Sequence, residues 1–162
     1  MNATILNSEL RACLIEAGFM ENMIRVGSAE YVLPTDQAIV NFGKRYHTFL
    51  WNNRLDSWIS SVWDCTKFAL SAMTMASIDN AVWQKANGVD QALAFGLCWV
   101  AQDAELSLHA INLAVMHDST GKLTIKYYEP QVQASGDKLG EPYVCLQEKS
   151  RDFFSRPVFC YF

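Results

Sequence analysis

Two stretches of alternating apolar and polar residues, Leu106 to Met116 and Leu123 to Glu129, flank the segment Asp118-Ser119-Thr120-Gly121. This is the pattern of a β-hairpin: alternation sends one side of each strand into a core, and a glycine-ended turn reverses the chain. A turn centred near Ser119 sets His109 opposite Glu129, each ten residues from the centre. Opposed residues in an antiparallel pair share a face, with Cβ atoms ~5 Å apart. The face of His109 continues through Ile111, Leu113 and Val115, and that of Glu129 through Tyr127, Ile125 and Leu123. An apolar face therefore ends in a histidine and a carboxylate. Burying either as an unpaired charge costs on the order of several kcal/mol, so the two are expected as partners. The carboxylate would then fix the imidazole tautomer and raise the basicity of the other ring nitrogen. Pro130 biases Glu129 towards extended geometry. The expectation hangs on register, because a slip of the pairing breaks the opposition. The reverse face, with Asn112, Thr124 and Lys126, is expected to meet solvent.

The second informative stretch runs from Ser57 to Leu70 and carries Trp58, Trp63, Asp64 and Cys65. It reads as an extended approach that stops at Asp64 and becomes an apolar helix to about Met75. Asp is a good N-cap, since its carboxylate accepts from the unpaired N–H groups of the first turn. Cys65 then takes the first helical position, where the positive end of the helix dipole favours a thiolate. The charge of Asp64 opposes a second anion beside it, so activating this sulfur requires a histidine. The plain competing reading is a buried cysteine acting as a small hydrophobe.

With 162 residues, half of them apolar, the chain is expected to form one domain over residues 1–162 with a substantial core. A net charge of −4 gives no basic footprint and argues against nucleic acid as a partner. Five cysteines with no C-x-x-C pair fit a reducing compartment better than a disulfide framework or a zinc site. No basic, apolar leader opens the chain, and its uncharged runs are shorter than the ~20 residues that span a bilayer. A cytoplasmic protein without membrane association is expected.

Apolar spacing predicts a helix over 4–17 with Gly18 beyond it, and a second over about 35–49 after Pro34. A short helix is expected over 79–86, ending near Gly88. Ala92 to Val100, the two arms of the hairpin, Tyr143 to Leu146 and Pro157 to Tyr161 read as strands, and the Phe-Cys-Tyr-Phe end is expected to be packed. Helices first and an antiparallel sheet second is an α+β order.

A cysteine on a helix tip, then a histidine and an orienting polar residue on successive strands, is the chain order of papain-like cysteine hydrolases. More narrowly, Tyr31-Val32-Leu33-Pro34, Trp58 ahead of Asp64-Cys65 and Phe68-Ala69, His109-Ala110-x-Asn112 and Glu129-Pro130-Gln131 resemble the C-terminal domain of the Marasmius oreades agglutinin family, a papain-like cysteine protease domain attached to a fungal lectin. The resemblance spans roughly residues 30 to 131 and leaves the first 30 unexplained. It implies a papain-like α+β fold, Cys65 as nucleophile, His109 as base, Glu129 as orienter and Trp58 near the substrate cleft, with a peptide or protein substrate. In the family, acidic residues just after the cysteine help bind calcium. Here those places are Thr66 and Lys67, so no metal ligands carry across; no cofactor is expected, with calcium the one alternative that the resemblance leaves open. The glutamine that completes papain's oxyanion hole, six residues before the cysteine, is replaced by Ile59; Gln37 is a candidate second donor.

Two other readings compete. A papain-like module that has lost its chemistry and serves in binding would account for Ile59, Thr66 and Lys67. A structural protein with Cys65 merely buried would lose stability and little else on Cys65→Ala. His47, near a polar helix end, and His117, at the turn, are weaker candidates for a base.

Overall fold

The computed structural model describes residues 3–57, 59, 62–102, 107–131 and 156–162. The chain opens with strand β1 (Thr4–Leu6) and helix α1 (Asn7–Glu16), followed by a 3-10 turn at Glu21–Met23. Strands β2 (Ile24–Arg25) and β3 (Glu30–Val32) precede helices α2 (Asp36–Asn52) and α3 (Cys65–Asn87). Then come β4 (Ala92–Leu93), β5 (Phe95–Gln102), β6 (Ser107–His117), β7 (Leu123–Tyr128) and β8 (Arg156–Tyr161). The expected strand over Tyr143–Leu146 lies outside the described residues. The main sheet has the order β2-β8-β5-β6-β7 and is antiparallel except for the parallel β2–β8 pair. A second sheet, β1-β3-β4, joins the N-terminal segment to the strand after α3. The fold is α+β, with helices packed against a mixed sheet, where an all-antiparallel one was expected.

Three boundaries differ from the sequence reading, each for a physical reason. Residues 4–6 pair with β3 instead of starting the helix, which begins where Glu9 Oε2 accepts the Leu6 N–H at 2.7 Å. The helix expected to stop near Met75 continues through the segment assigned to a separate short helix. No glycine or proline interrupts it before Gly88, whose left-handed conformation (φ 66°) ends it. Its amphipathic signal is weak because its buried face is Ala69, Ala72 and Ala76, whereas Leu70, Ile78 and Val82 are exposed. The 92–100 strand is broken at Ala94, so that β4 can join β3 while β5 joins the main sheet.

The main sheet is covered on both faces. On one, Ile111, Leu113, Val115, Ile125 and Tyr127 pack with Leu10, Leu14, Phe19 and Tyr31 from the N-terminal segment. On the other, Phe95, Ala114, Met116 and Tyr128 pack with Ile39, Phe42 and Tyr46 of α2 and Phe68, Ala72 and Ala76 of α3. The expectation that the Asn112 face meets solvent is therefore wrong. Asn112 is fully buried, and its Nδ2 donates to Ala69 O on α3 (2.8 Å) and Gly96 O on β5 (3.1 Å). Lys126 reaches past the sheet edge to Asp36 Oδ1 (2.8 Å), in the first turn of α2. At the far end, Phe162 packs edge-on against Tyr31, as expected of an apolar terminus.

The two long helices are fixed where they start. The Thr35 hydroxyl accepts the Ala38 N–H (3.1 Å), and Asp64 Oδ1 accepts the Lys67 N–H (3.2 Å). Buried Tyr46 on α2 donates its hydroxyl to Phe68 O (2.9 Å), so α2 holds the first turn of α3 while Asn112 holds the next. Replacing Asn112 by Ala removes two buried hydrogen bonds and leaves their space empty. Urea unfolding of Asn112→Ala should show a loss of roughly 2–4 kcal/mol.

Candidate active site

The hairpin turn is closed by Asp118 and Lys122. The Asp118 N–H donates to Lys122 O (2.9 Å), and Asp118 Oδ1 accepts from the N–H groups of Thr120 (2.8 Å) and Lys122 (3.0 Å). Gly121 supplies the positive φ (84°) that this longer turn needs. Its centre is Thr120, one residue beyond the expected position, so that Asn112 pairs with Tyr128. Moving the centre by one residue shifts every pairing by two and leaves parity unchanged. His109 and Glu129 thus lose direct opposition yet keep a common face. Their side chains meet diagonally, with His109 Nε2 2.5 Å from Glu129 Oε2. Both are largely buried, at 13% and 12% side-chain exposure, so solvent screens the pair weakly.

The other carboxylate oxygen is also occupied. Glu129 Oε1 accepts the Gln131 N–H at 2.9 Å, which clamps the carboxylate from both sides. Gln131 belongs to the quoted Glu129-Pro130-Gln131 segment but had no role in the sequence reading. Its backbone contact depends on the chain bending after Pro130, which residue types alone do not specify. Its side-chain Nε2 is buried without a hydrogen-bond partner.

Asp64 caps α3 and Cys65 occupies its first position, as expected. Just before them, reciprocal backbone bonds tie Ile59 to Trp63 (3.0 and 2.7 Å), and the Trp63 ring rests edge-on against Phe68. The Cys65 thiol is half-buried, and the His109 imidazole and the Ala110 N–H are the groups that act to favour its anion. With Nε2 committed to Glu129, Nδ1 is the ring nitrogen left for the thiol. The line Cys65–His109–Glu129 therefore joins a helix tip, a strand and the end of the next strand.

These contacts polarise the site. The His109 hydrogen bond holds the Cys65 thiol below its usual range despite the opposing cost of burial, with the Ala110 N–H helping. Burial drives the other described thiols the opposite way, raising Cys13, Cys98 and Cys160. For His109, burial favours the neutral ring, but its bonds to Cys65 and Glu129 win and raise its pKa to about 9. Asp64 is held below the usual carboxylate range, chiefly by the side chain of Lys67. The arrangement favours a thiolate–imidazolium pair, the reactive form of a nucleophilic cysteine.

Other candidates fall away from this line. Trp58 lies outside the described residues. Gln37 is exposed on the first turn of α2 and donates to Asn41 Oδ1 (3.0 Å). Ile59, at the place of papain's glutamine, is exposed. His117 is exposed beside the turn, and His47 is half-buried on α2, where burial lowers its pKa. Among the described residues, no group of three or more His, Cys, Asp or Glu side chains could hold a metal ion. Beside Cys65, the Lys67 ammonium lies on the Asp64 carboxylate at 2.7 Å.

No family model matches the chain, and no curated protein matches it. Among solved structures, the chain is similar to one described as the "PSL1a-E64 complex", with a TM-score of 0.60 over 98% of this chain at 17% sequence identity. This chain spans 51% of that one, about half its length. The likeness is one of fold, and it is consistent with a papain-like α+β arrangement. Among the described residues, no helix is long and apolar enough to cross a membrane.

The raised pKa of His109 makes stability depend on pH in a defined direction. A base whose folded pKa (about 9) exceeds its usual 6.5 contributes stability that is complete below 6.5 and lost as pH rises through about 9. Glu129→Gln removes a cause of that elevation. In urea titrations across this window, wild type should exceed Glu129→Gln most at the acidic end, with the gap closing towards the alkaline end.

Proposed function

We propose that this chain is a cysteine hydrolase, a peptidase or amidase acting through Cys65, His109 and Glu129. The observation that carries the reading is a single imidazole, His109, hydrogen-bonded to a buried carboxylate and acting to lower the pKa of a helix-tip thiol. His109 Nδ1 takes the Cys65 proton while its Nε2–H donates to Glu129, which keeps the tautomer and favours the imidazolium. The thiolate attacks the carbonyl carbon of an amide or ester. As the tetrahedral intermediate collapses, the C–N or C–O bond breaks and the imidazolium returns its proton to the leaving group. Water, deprotonated by His109, then attacks the thioester, releasing the acid and restoring the thiol. The Cys65 main-chain N–H, at the open end of α3, is the natural first donor to the oxyanion.

The resemblance to the agglutinin C-terminal domain supports the same reading and suggests a peptide or protein substrate. The solved structure similar in fold is, by its description, a complex with E64, a cysteine protease inhibitor. If the site here works alike, an inhibitor of that type should react with Cys65.

Intact-mass spectrometry after incubation with E64 at neutral pH is the direct test. One adduct per chain on Cys65 is expected, with none on Cys65→Ala and at least ~100-fold slower labelling of His109→Ala. Labelling of Cys65 no faster than that of Cys13 or Cys98 would instead identify a binding module that retains the fold without the chemistry.

A further inference from the structure

Asp64 has two effects on Cys65 that work against each other. Its carboxylate caps the helix that presents the sulfur, and it sets a negative charge next to the position where a thiolate must form. Lys67 meets both needs from one turn along α3. Its backbone N–H donates to Asp64 Oδ1 (3.2 Å), and its ammonium donates to Asp64 Oδ2 (2.7 Å). The pair is partly shielded, with 23% of the Asp64 side chain and 42% of the Lys67 side chain exposed.

We propose that Lys67 is a positioning residue for Cys65: its ammonium, fixed on Asp64, offsets the charge that the cap sets beside the sulfur, so this site needs no bound cation. The proposal rests on the hydrolase reading for calling Cys65 a nucleophile. Among the described residues, the charged and titratable groups around the sulfur come from four places: α2, the start of α3, β6 and the end of β7. His109 lies on β6 with Glu129 behind it at the end of β7, while Asp64 and Lys67 belong to the start of α3. From α2, Tyr46 bonds to Phe68 O, one turn away from the sulfur. Among these described groups, His109 is engaged by Glu129, and Lys67 is the cation that sits on Asp64. Removing it leaves the Asp64 charge uncompensated and the thiolate less favoured. Restoring neutrality by Asp64→Asn keeps a good cap, because Asn serves at that position as well as Asp.

The experiment is the pH dependence of Cys65 alkylation by iodoacetamide in wild type, K67M, K67R and D64N/K67M, each checked for folding by circular dichroism. An ion pair this exposed should change the rate modestly. K67M should react about threefold more slowly near neutral pH, with its profile displaced to the alkaline side. K67R should follow wild type, and D64N/K67M should regain the lost rate. A calcium chelator should leave wild type unchanged. Superposed profiles for K67M and wild type, a loss in K67M that D64N fails to restore, or a chelator-sensitive wild type would each overturn the proposal. A wild-type Cys65 that alkylates as an ordinary thiol would overturn the hydrolase reading itself, while the displacement between wild type and K67M still decides the role of Lys67.

Discussion

The close seat of α3 on β5 and β6 is the constraint from which the site follows. A face of Ala69, Ala72 and Ala76 lets the helix lie near the sheet, and Asn112 fixes where along the sheet it lies. A polar side chain buried in a sheet is costly unless its donors are used, and both Asn112 donors end on backbone carbonyls of the two elements it joins. Sliding α3 by one turn would break that tie and carry Cys65 about 5.4 Å along the axis. The address of Cys65 is thus set by packing one turn below it, together with the Tyr46 bond to Phe68 O.

Given that seat, electrostatics separates Cys65 from its counterparts. Cys98 and Cys160 are fully buried in the sheet, directly across from each other on β5 and β8, and burial keeps their thiols neutral. Cys65 is half-buried too, yet it has an imidazole and a backbone N–H to stabilise its anion. Two partners raise the pKa of His109 to about 9 against the pull of its apolar surroundings. The doubly bonded Glu129 carboxylate keeps the imidazole from turning away. Each group is held by the next, from the helix tip to the chain beyond Pro130.

Much of this was legible in residue types. The Asp64 cap, the Cys65 position, the hairpin and the His109–Glu129 partnership follow from local rules. The partnership survived a misplaced turn centre because a whole-residue shift of the centre keeps side-chain parity. What could not be read is equally specific. Asn112 looked like a solvent-facing residue because a polar side chain on an alternating strand usually is one, and only the second layer of helices makes it buried. Residues 4–6 fit a helical period and became a strand because a tertiary partner, β3, was available. The full length of α3 was hidden because its small residues face the core and its larger ones face outward. The Gln131 clamp depends on the backbone path after a proline, where side-chain pattern carries no signal.

The central claim is that His109 favours the thiolate of Cys65, and the ultraviolet thiolate absorbance of the native chain minus that of Cys65→Ala measures it directly. Titrated against pH, the difference should appear below the ordinary thiol value of 9.0 and should move towards that value in His109→Ala. A difference that emerges only at or above 9.0, unchanged by His109→Ala, would contradict the account.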